Sequence, residues 1–582
     1  DYLTFGNSFQ RYGTSYYRYD SLQQFLDGLT PSAFGLTYSL LPDGSDPYAE
    51  LDFGLGGLYL QDEFRVSNKF KLTAGIRLDR TFYLNDLQSN EAVTALEFLD
   101  SDGVTPRKLD VGKWPDSKIM FSPRVGFYYD FKGDRTLQLR GGTGIFTGRV
   151  PFVWFTNLPT NSGMLQNTVE RVGSAVADLG IVFNPDPGAY VSKFPNMPGT
   201  TAPGSIAAID EDFKLPQIWR SNLAVDANLP GNFILTLEGL YSKDLVNIYQ
   251  YNANHRGPVG NMNLANGKDT RPLYGADNNA RRVNAAMSEA MVLSNSDEGS
   301  SYVLSLGLSK EFSKNFFANL AYTYTNSQDI TGNPGSQAAS AWSNNQSVRG
   351  PNDLDLSPSQ YAAPNRVVGS LSYRIEYLNA LATTVSLFYE GINLGVNAGL
   401  TQSRFSYVYT ADLNRDGINA DLLYIPNDPS EITFTDIVSG GNVLFTAQQQ
   451  SEAFFKYIEQ DDYLSEHKGE YAERNGALLP WRNRFDFRLL QDIFANVGAR
   501  RHTLQFSLDI LNIGNLLNKD WGVLKTPNYN NGAILVPTRS ADGTTATFQM
   551  ARVNGELPTE TFRNVVNTSS TWSMQIGLRY IF

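Results

Sequence analysis

Alternation of apolar and polar residues with period two, sustained over segments about twice the usual strand length, constrains this chain more than any other feature. Phe70, Leu72, Ala74, Ile76 and Leu78 alternate with Lys71, Thr73, Gly75, Arg77 and Asp79. Leu504, Phe506, Leu508 and Ile510 alternate with Thr503, Gln505, Ser507 and Asp509. Tyr302, Leu304, Leu306 and Leu308 stand against Val303, Ser305, Gly307 and Ser309, and after a turn at 310–314 Phe316, Ala318, Leu320 and Tyr322 stand against Asn319, Ala321 and Thr323. Successive side chains of a strand point to opposite faces, so each segment has one oily face and one wet face.

These segments come in pairs. Six hairpins are predicted, at 51–65/69–83, 120–131/135–147, 217–229/232–244, 300–312/315–327, 364–376/381–393 and 484–497/500–514. Their strands run to about 12–15 residues, against a usual mode of about 5–6, and that length suits a tilted membrane span. The turns, such as Pro230-Gly231 and Lys132-Gly133-Asp134, are short, whereas the connections 84–119, 148–216, 245–299, 328–363 and 394–483 hold about half of the 582 residues. Short turns on one side and long loops on the other fit an outer-membrane barrel. A soluble sandwich or propeller also alternates, but its strands are shorter, its loops are not sorted by length, and no blade-like period of about 40–50 residues is present.

Composition closes other routes. No uninterrupted apolar run reaches the roughly 18 residues a spanning helix needs. The net charge is −12 with no basic block, so nucleic acid is not an expected partner. There is no cysteine, which removes disulfides, thiolate metal sites and cysteine nucleophiles. The chain opens Asp1-Tyr2-Leu3 and its first Met is Met120, so it is expected to be processed or part of something longer.

No catalytic pattern is found, whether a nucleophile elbow, a zinc-protease helix, a phosphate loop or a dinucleotide fingerprint, and no catalytic residue or enzyme activity is expected. His255, His467 and His502 lie far apart and read as solvated. Gly141-Gly142-Thr143-Gly144 falls inside a predicted strand, where glycine allows a bend or close backbone approach.

One loop has the spacing of a metal site. Asp412, Asn414 and Asp416 precede Gly417 in a D-x-N-x-D-G run, followed by Ile418, whose carbonyl is available, and Asp421. Three side-chain oxygens on one side of a tight loop suit the oxygen ligation of Ca²⁺, with Asp421 closing the set, because the twelfth residue is Leu423 rather than Glu. The alternative is an ordinary Asx-Gly turn. Bound Ca²⁺ would rigidify the 394–483 loop. Residues 157–216 and 257–300, with Tyr190, Phe194 and Tyr274 among Asn, Gly and Pro, are expected either to offer a ligand surface or to fold over one another. They do not identify a ligand.

The final segment carries a complete apolar row, with Trp572, Met574, Ile576, Leu578, Tyr580 and Phe582 alternating with Ser573, Gln575, Gly577 and Arg579. It resembles the terminal strand of bacterial outer-membrane proteins, whose last aromatic is read by the barrel-assembly machinery. Only a closed barrel satisfies every strand amide within a bilayer.

Further residues carry a family resemblance. Gly57-Leu58-Tyr59-Leu60-Gln61-Asp62-Glu63-Phe64 and Leu72-Thr73-Ala74-Gly75-Ile76-Arg77-Leu78-Asp79 resemble the YxQDxW…LTxGxRxD hairpin of TonB-dependent receptors. Ser122-Pro123-Arg124, Leu139-Arg140 to Phe146, Pro151 to Trp154, Pro216-Gln217, Trp219-Arg220, Leu229-Pro230-Gly231 and Leu511-Asn512 to Asn518 are similar to segments of the Oar-like branch. The resemblance implies an all-β fold, a transmembrane antiparallel barrel of the 22-stranded family enclosing a plug, and an N-terminal TonB box. Six hairpins and the terminal strand make thirteen strands; ambiguous segments at 2–12, 34–40, 519–527 and 545–552 bring this chain to about 15–17. The whole of 1–582 thus reads as a partial barrel, with plug, TonB box and first strands outside it. A rim hairpin within 515–570 is the alternative to a long periplasmic link there.

The function so implied is import across the outer membrane of a Gram-negative bacterium, with ligand captured by the outer loops. The implied partners are outer-membrane lipid and lipopolysaccharide, the barrel-assembly machinery, the TonB complex and an extracellular ligand. Arg77, Arg124 and Arg140 are expected to line the lumen as structural residues. A scaffold or adhesion protein, or a subunit of a larger secretion or surface assembly, is the alternative from another class.

Overall fold

The computed structural model describes residues 1–313, 315–497, 500–529 and 532–582. Lys314 of the 310–314 turn, Gly498 and Ala499 of the sixth hairpin's turn, and Asn530 and Asn531 within 515–570 lie outside the described residues.

Thirteen long strands follow one another as antiparallel neighbours. They are β1 (Ala49–Arg65), β2 (Phe70–Tyr83), β3 (Ile119–Asp130), β4 (Leu137–Thr147), β5 (Gln217–Leu229), β6 (Phe233–Asn252), β7 (Ser300–Ser313), β8 (Phe316–Asp329), β9 (Asn365–Tyr377), β10 (Leu381–Asn393), β11 (Trp481–Val497), β12 (Arg500–Leu511) and β13 (Ser573–Ile581). These are the six predicted hairpins and the terminal strand, and each pairs with the next. The sixth hairpin corrects at its end. Asn512 adopts a left-handed conformation (φ 53°) and starts the short helix Ile513–Leu517, so the strand stops at Leu511 rather than 514.

The registers sort the faces. Val225, Leu237, Leu306, Tyr322 and Val367 stand side by side on β5 to β9, and Leu489, Leu508 and Ile576 on β11 to β13. This face is apolar yet open: Leu306 is 47% and Leu578 72% exposed. So large an uncovered apolar surface marks an interaction face rather than a surface meant for water. Aromatics border it at both ends. Trp219 packs edge-on to Tyr241 and Tyr389 lies against Phe485 on the long-loop side, while Phe70 packs on Tyr129 and Tyr580 on Phe582 on the turn side. Two aromatic girdles flanking an apolar band are the lipid-facing surface of a barrel. No helix among the described residues is long and apolar enough to cross a membrane.

Among the described residues the hydrogen-bonded sheet holds seventeen strands, in line with the expected number, though the additions differ from those expected. Of the ambiguous segments, only 2–12 enters this sheet, as Tyr2–Asn7 paired to residues 49–54 of β1. Segment 34–40 pairs instead with Gln166–Val172, 525–527 with Phe562–Asn564, and Ala546–Met550 with Ala533–Arg539. All three belong to small sheets among the loops, and 34–40 and 546–550 pack into loop clusters rather than present an open face. The pair Ala533–Arg539/Ala546–Met550 is a hairpin among the loops, with 533–539 rather than 519–527 as its first strand. Among the described residues no register joins β13 back to β1, and beyond residue 55 β1 is paired on one side. The wall is an arc, open at one seam.

Candidate functional site: the inner face and the cap of outer loops

The wet face of the wall is laced with ion pairs. Arg77 clasps Asp79, Nε to Oδ2 at 2.8 Å. Arg140 reaches Asp226 at 2.9 Å and Glu238 at 3.4 Å, bridging β4, β5 and β6. Arg366 meets Glu390 at 2.6 Å, Arg484 meets Asp486 at 2.9 Å, and Arg488 pairs with Asp509. Arg124 instead lies over the ring of Phe146. All three arginines singled out from the sequence therefore project from the wet face. The glycines beside them are there for closeness: a Cβ on Gly141 would lie 2.8 Å from the Asn222 carbonyl oxygen, and one on Gly144 2.9 Å from Arg124 Cβ.

The long loops form a cap with its own core. Met262, Leu264 and Leu273, Phe405, Tyr407, Leu423, Phe454 and Ile458, and Tyr529, Ile534, Leu535 and Phe548 bury one another from three separate loops. Helix Ala447–Gln460 supplies several of them. Its capping box fixes its start: the Gln449 N–H donates to Thr446 Oγ1 (3.2 Å) and the Thr446 N–H to Gln449 Oε1 (2.8 Å). β6 rises above the wall, where residues 247–252 pair with 291–296, and that strand takes Ser205–Ile209 as a parallel neighbour.

Phe194 is buried in a loop cluster with Phe34 and Leu36 and Tyr190 packs against it, whereas Tyr274, 5% exposed, donates its hydroxyl to the Arg349 carbonyl and borders a cleft. His255 corrects the expectation of solvated histidines. It is 6% exposed, its Nε2 lies 2.9 Å from the Asp416 carbonyl oxygen, and its ring packs on Tyr274 and Trp342. Burial pushes its pKa below the ordinary value, which disfavours the charged form. His467 stacks on Tyr463 at 4.2 Å, and His502 meets the Tyr580 hydroxyl at 2.5 Å. The three do not converge.

The 412–421 loop lies where four loops meet. The Tyr274 N–H donates to the Asn414 carbonyl (2.9 Å), Arg539 donates to the Asp412 carbonyl, Arg415 donates to the carbonyls of Asp542 and Ala541 (2.8 and 3.0 Å), and the Ile418 side chain packs beside Trp342. Gly417 has φ 92°, which a side chain would resist. Within the loop, Asn414 Oδ1 accepts from the Asp416 N–H, Asp416 Oδ1 from the Ile418 N–H, and Asp421 Oδ2 from the Leu413 N–H. Asn414, Asp416 and Asp421 are at most 5% exposed. Burial, then the charges of Asp421 and Asp412, hold the Asp416 carboxyl well above its ordinary pKa. Burial likewise pushes Asp421 up to about 7, against the pull of Arg271. Among the described residues no three His, Cys, Asp or Glu side chains stand as a ready metal-holding group.

Two clefts open between loops. One of about 650 Å³ is lined by Tyr249, His255, Arg256, Tyr274, Arg349 and Asn352; the other, of about 740 Å³, by Asp100, Arg107, Lys113, Asp210, Glu211 and Asp212. The sequence did not reveal either, because their walls come from segments more than a hundred residues apart.

A family model described as outer membrane beta barrel domain matches residues 2–549. No curated protein matches the chain. Solved structures similar to it include the outer membrane transporter YddB from Escherichia coli, at 12% identity and TM-score 0.39 over 94% of this chain and 50% of that one. The siderophore receptor PiuA from Acinetobacter baumannii is 10% identical with TM-score 0.34, over 83% of this chain and 47% of that one. BauA, the ferric preacinetobactin receptor of the same organism, is 11% identical with TM-score 0.34, over 83% and 46%. The chain spans half or less of the length of each. The lipid-facing band, its aromatic girdles and the family match over most of the chain agree: this protein belongs to the outer membrane beta barrel domain family and resides in the outer membrane of a Gram-negative bacterium.

Proposed function

We propose that this chain is the larger part of the barrel of a TonB-dependent receptor of the Oar-like branch, and that it imports a ligand captured by its outer loops. The observation that carries this is the open seam. Unpaired strand edges cannot face lipid, so the arc between β13 and β1 is closed by further strands, giving a barrel wide enough to need a plug. The charge-paired inner face is a surface for polar contact with such a plug, and the clefts of the cap are entry points for ligand. The role is transport, not catalysis. The lipid band contacts lipopolysaccharide, and Trp572 to Phe582 serve the assembly machinery.

The full-length protein tests this. Reconstituted in planar bilayers it is expected to stay closed, to conduct in large steps once its plug is deleted, and to bind the periplasmic domain of TonB through its TonB box. Large conductance from the intact protein would make it a passive pore. A closed protein that does not bind TonB would make it a scaffold.

A further inference from the structure

We propose that the 412–421 loop is a Ca²⁺ site, with Asp412, Asn414, Asp416, the Ile418 carbonyl and Asp421 as ligands, and that the bound ion locks the outer loops together. The inference stands apart from the transport reading. It rests first on unmet bonding. Asp421 is 2% exposed, and while its Oδ2 takes the Leu413 N–H, its Oδ1 accepts no hydrogen bond. Asp412 Oδ1 accepts none either. Buried acceptors without partners are uncommon, yet two carboxylate oxygens of this one loop are left so.

Charge points the same way. Three carboxylates within ten residues, Asp416 and Asp421 of them buried, repel one another, and a divalent cation is the group that draws them together. The nearby guanidiniums do not answer the need. Arg271 is fully buried but committed: its Nε and Nη2 bond both oxygens of Asp269 at 2.9–3.1 Å, its Nη1 donates to the Leu422 carbonyl at 3.0 Å, and it remains 3.7 Å from Asp421 Oδ1. Arg539 stays 3.6 Å from Asp412 Oδ1. Carboxylate, amide and carbonyl oxygens on an irregular loop suit Ca²⁺, whereas Mg²⁺ demands a near-ideal octahedron.

The consequence follows from position. The ligand backbone is bonded to loop 245–299 through His255 and Tyr274 and to 515–570 through Arg539, and a bridge joins Asp421 to Ser347 of loop 328–363. An ion here fixes all four loops, not only 394–483.

The test is calorimetric titration of the full-length protein in detergent with Ca²⁺, alongside Tb³⁺ luminescence sensitised by Trp342 and Tyr274. One ion per chain is expected, with Kd in the range of about 10⁻⁴–10⁻³ M used by extracellular modules, and with increased protease resistance of the cap. Asp421→Asn keeps an acceptor for the Leu413 N–H and is expected to abolish binding, as is Asp416→Asn. Asp412→Asn, at the loop rim, serves if either fails to fold. Absence of heat at millimolar Ca²⁺, equal binding by folded variants, or equally tight Mg²⁺ binding would each overturn the proposal.

Discussion

Arg374 on β9 and Asp492 on β11 meet across the intervening strand, Nη1 to Oδ2 at 2.8 Å. Asp492 also accepts from Gln505 Nε2 on β12 at 2.8 Å, so one nearly buried carboxylate ties together β9, β11 and β12 on the inner face. Removing the guanidinium strands that carboxylate. Arg374→Met is expected to cost about 1–3 kcal/mol, and the double variant with Asp492→Asn to recover part of it, as read by urea titration of the folded barrel on unheated gels.

The two faces of β7 should respond oppositely to charge. Leu306 lies in the lipid band and Ser305 on the inner face. Leu306→Arg is expected to cost about 2–4 kcal/mol near the bilayer midplane, while Ser305→Arg changes folding little. Equal effects would contradict the assignment of faces.

The cap should fail separately from the wall. Phe454 is fully buried among residues of the loops. Phe454→Ala is expected to cost the cap about 3–5 kcal/mol, so that limited proteolysis cuts within 394–483 while the heat-modifiable mobility of the barrel is retained.

Phe582 presents the reverse case. It is 78% exposed and stacks only on Tyr580 among the described rings, so its removal costs the assembled barrel little packing. Phe582→Ala is expected to lower the amount of protein in the outer membrane without lowering the stability of what is inserted, measured by quantitative blotting and by urea titration.

The wall was legible because its two solvents differ. Along β7 or β12, lipid on one side and water on the other impose a period of two over a dozen residues, and the hairpin ends predicted from it fall close to those observed. The exception is β6, which runs on to Asn252: above the wall it meets protein on both sides, and alternation stops. The same reason hid the cap. Ile206 and Ala290 are paired, short-stranded and fully buried, with no wet face to mark them. His255 was misjudged because its partners, Asp416 and Trp342, are about a hundred residues or more away in sequence. The 412–421 loop stood out through spacing alone, whereas its place at the junction of four loops required the fold.

The most direct test of the central claim is the intact mass and N-terminal sequence of the protein extracted from its native outer membrane, with any co-purifying chains identified. The account predicts a species well above 64.6 kDa, carrying a plug, a TonB box and the strands that close the seam between β13 and β1. A mature chain beginning at Asp1, with no other chain supplying those strands, would contradict it.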